Sequence, residues 1–144
     1  MSATKNVGYI GLGNIGKPSA RHLIGGDYRA HVYDVFQPAV AELAEMGAIA
    51  CDSVAQLAGS CTHIGVCVRD DAQVDSVLYG TDGILENAAA DTLVAIHSTV
   101  TRDALLRWSA DAARQGIVLI DAAISGGAQG AEQGTLCYMV GGDA

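Results

Sequence analysis

At 144 residues, with hydrophobic residues at 50% and charged residues at only 17%, the chain has the length of one domain and the material for a substantial core. Sixteen acids against eight bases leave a formal net charge of −8 with no basic run, which argues against nucleic acid as a partner, because neutralising phosphates takes clustered Lys and Arg. No apolar run reaches the roughly 18 residues of a membrane span, and the start MSATKN lacks the charged and apolar parts of a secretory leader, so a cytoplasmic protein is expected.

Val7 to Ile10 is an apolar, strand-like run that leads directly into Gly11, Gly13 and Gly16 at G-x-G-x-x-G spacing. Ile15, Ala20, Leu23 and Ile24 then recur with a helical period, and Pro18 falls in the first turn, where its missing N–H costs little. A strand, a glycine turn and a helix in that order give a common glycine pattern the context of a dinucleotide site. Gly11 lets the chain reverse tightly, Gly13 has no side chain to obstruct a pyrophosphate, and Gly16 lets the helix pack close to the sheet. The free N–H groups of the first helical turn and the helix dipole both favour the anion. Arg29 to Tyr33 reads as the second strand and ends in Asp34, 18 residues past Gly16. A carboxylate there accepts hydrogen bonds from an adenosine ribose and repels a 2′-phosphate. Val35, Phe36 and Gln37 follow where an NADP site places an arginine, so NAD is expected over NADP. FAD and S-adenosylmethionine sites share the glycine turn and stay open as alternatives at this point.

Pro38 to Met46 carries apolar residues at helical spacing and is closed by Gly47, and Ala48 to Ala50 is a short strand. Ser53 caps a helix through Leu57 that Gly59 ends, and His63 to Val68 is an apolar run expected as a strand buried on both faces. Asp70 and Asp71 open a helix containing Val74, Val77 and Leu78, acids that suit the positive end of its dipole. Gly80 and Gly83 bracket a turn before a helical turn or two in Ile84 to Ala90, and Thr92 to Ile96 is the next strand. Thr101 caps a helix to Gln115, with Ala104, Leu105, Trp108 and Ala112 on one face and Gly116 at its end. Ile117 to Ile120 reads as a strand, Asp121 to Gly134 as a glycine-rich loop, and Leu136 to Val140 as a last strand. The alternation implies an α/β fold of Rossmann type, a doubly wound, mostly parallel sheet in three αβα layers, as one domain over residues 1–144. Ligands of such sheets bind outside the carboxyl ends of the strands, so loops 11–16, 34–37, 69–72, 97–101 and 121–130 are the candidates.

Cys51, Cys61, Cys67 and Cys137 show no C-x-x-C pairing and read as reduced, buried thiols. His22, His31 and His63 have no metal-ligand spacing with Cys or Asp and read as surface or helix-packing residues, so no metal is expected. Ser125, Gly126 and Gly127 lie on one of the candidate loops. Consecutive small residues there can form a backbone anion nest, and a flexible loop that merely reverses the chain is the plainer alternative.

The stretches GYIGLGNIGKPSA, VRDDAQVDSVLYGTDGI, HSTV and DAAISGGAQGAEQGTLCYMVGGD, in that order, resemble the β-hydroxyacid dehydrogenases over nearly all 144 residues. That family includes 3-hydroxyisobutyrate dehydrogenase, tartronate semialdehyde reductase and the 6-phosphogluconate dehydrogenases. The resemblance implies that Gly11, Leu12, Gly13, Asn14, Ile15 and Gly16 hold the pyrophosphate and Asp34 the ribose. It further implies that Val68 and Arg69 line the adenosine side, that Thr99 approaches the nicotinamide half, and that Ser125, Gly126 and Gly127 grip a small substrate near its carboxylate. Arg69 and Ala123 stand where the family usually has prolines, which leaves the shape of both loops open. His97 follows Ile96 near a usual acidic position, either as a proton-transfer group at the nicotinamide or, the reading preferred here, as a filler beside a strand end.

Members of the family continue into a helical second domain whose lysine exchanges the proton with the substrate oxygen. Lys5 and Lys17 are the only lysines here and neither matches that position. The family lysine is therefore expected beyond Ala144, and no catalytic residue is expected within this chain. The resemblance implies the cofactor domain of an NAD-dependent oxidoreductase, moving hydride between nicotinamide and a small 3-hydroxy acid or its semialdehyde. At full length it implies a homo-oligomer, and as these 144 residues alone an inactive protein. An imine reductase on the same framework would carry an Asn-Arg-Thr signature in place of Tyr33-Asp34-Val35, and a non-catalytic dinucleotide-binding module is the remaining alternative.

Overall fold

Residues 4–142 are described by the computed structural model, in which apolar runs and amphipathic segments alternate to build one seven-stranded sheet. Residues 1–3, part of the start read as leader-free, lie outside that range. So do Asp143 and Ala144, and with them the point past which the family lysine is expected. In chain order the elements are β1 (Lys5–Ile10), α1 (Gly16–Arg21), β2 (Tyr28–Tyr33), α2 (Gln37–Glu45), β3 (Ile49–Ala50), α3 (Val54–Ser60) and β4 (His63–Val66). Then follow α4 (Asp71–Leu78), α5 (Ile84–Asn87), β5 (Leu93–Ile96), α6 (Arg102–Arg114), β6 (Val118–Ser125), α7 (Gly127–Gln133) and β7 (Cys137–Gly141).

The sheet order is β3-β2-β1-β4-β5-β6-β7, and every pairing is parallel except that of β6 with β7. The chain runs outward from β1 to β3 and then crosses back to β4 on the other side of β1. The strand order thus reverses between β1 and β4, where the loops leave the sheet in opposite directions and open a crevice.

Successive residues of a strand face opposite sides, and the two sides hold separate cores. Ile10, Ile64, Val66, Val94 and Ile96 meet Leu57, Val74, Leu78, Ile84 and Trp108 of α3, α4, α5 and α6. Tyr9 and Val32 meet Ala20, Val40 and Leu43 of α1 and α2 on the other side. Ser53, Asp70 and Thr101 cap their helices as expected, accepting the N–H groups of Gln56, Gln73 and Ala104 at 3.0, 2.9 and 3.3 Å. On the α1 side of β4 and β5, Val7, Tyr9, Gly65, Ala95, His97 and Tyr138 line an open groove of about 370 Å³.

Several expectations need correction. Gly59 lies inside α3 and does not end it; the chain leaves at Cys61, whose backbone is extended. The strand at His63 stops at Val66, because the N–H of Val68 goes to the Ser98 hydroxyl and not to a neighbouring strand. Residues 121–134 are not a loop. Asp121 to Ser125 prolong β6 because β7 folds back beside them, pairing Asp121 with Gly141 and Ser125 with Cys137. Gly127 to Gln133 then form α7, where Ala, Gln and Glu outweigh the glycines, and Gly134 closes it in the left-handed region at φ +70°. The thiols also differ: Cys51 and Cys61 are buried, but Cys67 is half-buried and Cys137 is exposed on the edge strand β7. His31 is neither a surface nor a helix residue, since it lies buried in β2 with Nδ1 3.9 Å from Cys51 Sγ. His22 does pack between helices, its Nε2 lying 2.9 Å from the Ala131 carbonyl oxygen of α7.

Trp108 is fully buried and donates its indole N–H to Asp75 Oδ1 at 2.7 Å, tying α6 to α4. Trp108→Ala is expected to lower stability by about 3–5 kcal/mol, the range for truncating a large buried aromatic. Urea unfolding followed by far-ultraviolet circular dichroism checks this without relying on the chain's single tryptophan. A loss below about 1 kcal/mol would show that this contact is not central to the core.

Candidate cofactor-binding site

The geometry at the crevice starts from Gly11. Its φ is +96°, its N–H donates to the Tyr33 carbonyl at 3.1 Å, and a Cβ there would lie 2.1 Å from the Cys67 carbonyl oxygen. Any side chain would push apart the ends of β1 and β4. A Cβ on Gly16 would lie 1.8 Å from the Gly11 carbonyl oxygen, so the third glycine lets α1 begin directly over the turn. A Cβ on Gly13 would meet nothing within 4 Å, and the open space in front of it is the crevice itself. The N–H groups of Gly13, Asn14 and Ile15 have no hydrogen-bond partner among the described residues.

Asp34 stands at the tip of β2 and is already engaged. Oδ2 accepts the Leu12 N–H at 2.6 Å and Oδ1 accepts the Phe36 N–H at 2.7 Å. Each carboxylate oxygen has a further lone pair, so the group can still accept hydroxyl donors. The acid therefore holds the glycine turn against the strand and presents its remaining acceptor capacity to the crevice.

The facing wall comes from the end of β4 and from α4. Gly11, Gly13, Asn14, Ile15, Gly16, Asp34, Val68 and Arg69 line a single cleft of about 730 Å³, together with Tyr33, Val35, Gln73, Ser76 and Val77. Arg69 is the only cationic residue on that lining, and Asp34 the only acidic one. Leu12 is the exception within the turn, since its side chain is buried between α1 and α2 and only its N–H faces Asp34. Thr99 is exposed in the loop after β5 and is not among the residues lining the cleft. Ser125, Gly126 and Gly127 sit exposed where β6 passes into α7, away from that lining, with φ of +129° at Gly126 and +61° at Gly127.

Gln73, Ser76 and Val77 were not foreseen as cleft residues. Gln73 had a readable signal, because Asp70-x-x-Gln73 is a capping pattern in which the third helical residue reaches back. Its Oε1 accepts the Arg69 N–H at 2.8 Å. That bond answers the departure from proline at position 69, since a proline has no N–H to donate. His97 does not enter the cleft. Its Nδ1 lies 2.9 Å from the Ala122 carbonyl oxygen, and its ring stacks on Tyr9 and meets Tyr138 edge-on in the groove on the α1 side.

A doubly wound sheet with a glycine turn at its switch point, unpaired amides in front of the second glycine and a carboxylate at the tip of β2 defines a dinucleotide-binding domain. Residues 6–144 match the family model described as the NAD-binding domain of 6-phosphogluconate dehydrogenase, and the chain belongs to that family. It is 34% identical over 139 residues to 3-hydroxyisobutyrate dehydrogenase of Pseudomonas aeruginosa, covering 96% of this chain and 47% of that protein. A solved structure of Mycobacterium tuberculosis 3-hydroxyisobutyrate dehydrogenase with L-serine matches with a TM-score of 0.90 at 28% identity, covering 97% of this chain and 47% of that one. A second, of Psf3 in complex with NADP+ and 2-OPP, also gives 0.90 at 28% identity, covering 95% and 49%. The chain spans about half the length of the curated relatives it matches. No helix among the described residues is long and apolar enough to cross a membrane.

Gly13→Ala has room in the folded chain and should leave the melting temperature within a few degrees of the parent while weakening NADH at least about tenfold, by calorimetry. Gly16→Ala should instead lower the melting temperature itself, because its Cβ collides with backbone.

Two histidines set a pH dependence. Burial lowers the pKa of His97, partly opposed by its bond to Ala122, and burial followed by the Arg29 charge lowers that of His31. In the unfolded chain both rings take up a proton near pH 6.5, while in the folded chain they do so only at lower pH. Their contribution to stability is therefore complete above the unfolded value near pH 6.5 and is lost as pH falls from there through the lower folded-state values. The urea midpoint should fall between pH 7 and pH 5, and His97→Phe should make that fall shallower.

Proposed function

We propose that this domain binds NAD in preference to NADP and forms the cofactor half of an oxidoreductase acting on a small 3-hydroxy acid or its semialdehyde. One observation carries the cofactor part. The Asp34 carboxylate is fixed by two backbone N–H groups at the rim of the cleft, and Val35, Phe36 and Gln37 offer no cation beside it. A 2′-phosphate in that position would meet a fixed negative charge, whereas ribose hydroxyls would find an acceptor.

Gly11, Leu12, Gly13, Asn14, Ile15 and Gly16 carry the pyrophosphate in this reading, through the unpaired amides of Gly13, Asn14 and Ile15. Val68 and Arg69 take the adenosine side, and Thr99 the approach to the nicotinamide half. When bound, the nicotinamide supplies or accepts a hydride at its C4. Ser125, Gly126 and Gly127 hold the substrate carboxylate through a serine hydroxyl and consecutive backbone N–H groups. The substrate class is supported by two of the relatives above, both 3-hydroxyisobutyrate dehydrogenases.

Hydride transfer to a carbonyl also needs a proton donor at its oxygen. Lys17 is committed to Glu42 at 2.8 Å, and Lys5 lies at the start of β1, the opposite end of the strand from the cleft. On the family resemblance, that group is the lysine expected past Ala144, and in this reading these 144 residues bind cofactor without turning it over. In titration calorimetry NADH should bind at least about tenfold tighter than NADPH, a difference of about 1.4 kcal/mol. Tighter NADPH would overturn the cofactor reading. Turnover of 3-hydroxyisobutyrate by the 144 residues alone would overturn the assignment of proton transfer.

A further inference from the structure

The far wall of the cleft is made by the loop after β4, and the loop after β5 lies beside it. Each begins with one last sheet bond, Cys67 N–H to the Ile10 carbonyl and His97 N–H to the Val66 carbonyl, both at 2.8 Å. Beyond those points the sheet holds neither loop, and other groups must do so.

They hold each other. Ser98 is buried, and its Oγ accepts the Val68 N–H at 3.0 Å, so the loop after β5 fastens the loop after β4. Asp71, the first residue of α4, reaches the other way. Its Oδ2 accepts the Thr101 hydroxyl at 2.7 Å and its Oδ1 the Thr101 N–H at 3.2 Å. The Thr101 Oγ1 in turn accepts the Ala104 N–H at the start of α6. Both ties span 30 residues of sequence. Between them, Arg69 N–H donates to Gln73 Oε1 at 2.8 Å. Farther along the same helices, Asp75 accepts from the Trp108 indole at 2.7 Å and from Arg107 at 3.0 Å, so α4 and α6 are joined at a second level.

From this we infer that Ser98 and Asp71 are positioning residues for the cofactor, a reciprocal latch that fixes Val68 and Arg69 at the cleft from outside it. The inference rests on reading the cleft as a dinucleotide site. Neither Ser98 nor Asp71 lines the cleft, whereas Val68, Arg69 and Gln73 all do. The N–H groups of Val68 and Arg69 are both engaged, so this wall offers side chains and carbonyl groups. The opposite wall offers the free amides of Gly13, Asn14 and Ile15. A wall of that kind is useful to a ligand only if its backbone keeps one position, and backbone that leaves the sheet unsupported samples many. Removing Ser98 Oγ leaves a partly buried N–H without a partner, and removing the Asp71 carboxylate frees the start of α6 from the start of α4.

The test uses the 144-residue chain with Ser98→Ala, Asp71→Ala and, as a control, Trp108→Phe, which disturbs the α4–α6 contact away from the cleft. NADH and ADP-ribose are titrated by calorimetry well below each melting temperature. Ser98→Ala and Asp71→Ala should each weaken both ligands about fivefold. Trp108→Phe should leave both unchanged even where it lowers the melting temperature more. Asp71→Ala, at a half-buried position, supplies the reading should Ser98→Ala fail to fold. If the parent binds NADH and both latch variants bind it equally well, or if all three variants weaken binding in proportion to lost stability, the latch is wrong. If the parent itself binds neither NADH nor ADP-ribose, the dinucleotide reading fails instead.

Discussion

The whole site depends on one close approach of backbone to backbone. At Gly11 the chain turns out of β1 while its N–H is bonded to the end of β2, and a side chain there would collide with the Cys67 carbonyl just past β4. Three neighbouring strand ends thereby share one small volume, and α1 starts directly above it because Gly16 has no side chain either. The crevice is what remains in front of that contact. Its floor is rigid because sheet hydrogen bonds continue to its edge on both sides.

The rest of the architecture secures the two walls to this floor by different means. Asp34 holds the glycine-turn wall with a charge-assisted bond to a single amide. The other wall is held by the Ser98 hydroxyl from the loop after β5, by Gln73 in the first turn of α4, and by Asp71 of that turn reaching Thr101 at the start of α6. One wall therefore has backbone amides to spare and the other has the amides of Val68 and Arg69 committed, which suits a ligand whose anionic part lies against the first. The two hydrophobic cores follow the same division, with α1 and α2 behind the first wall and α3 to α6 behind the second.

What could be read in advance was the chemistry that acts over short distances along the chain. The glycine spacing, the carboxylate ending β2 and the caps at Ser53, Asp70 and Thr101 each depend on residues a few positions apart. Features set by distant pairing were hidden. Asp121 to Ser125 look like a loop until β7 returns beside them, and Gly127 to Gln133 look too rich in glycine for a helix until α7 packs on α1. The same holds for His31, whose burial follows from β3 and its neighbouring loop closing over β2. Ser76 and Val77 entered the cleft through the orientation of α4, which nothing in their own neighbourhood announces. Thr99, given a role through resemblance, stands exposed outside the cleft lining, where local chemistry alone suggests no function.

The position of Asp34 has a consequence for altering coenzyme choice. Its carboxylate supports the polypeptide before any nucleotide arrives, bridging the turn at Leu12 to the bend at Phe36. Swapping it for a small neutral or basic residue, as the proposed role of Asp34 in coenzyme choice would invite, would also cut that bridge. A successful redesign would have to bring in a new acceptor for the Leu12 amide along with the new cation.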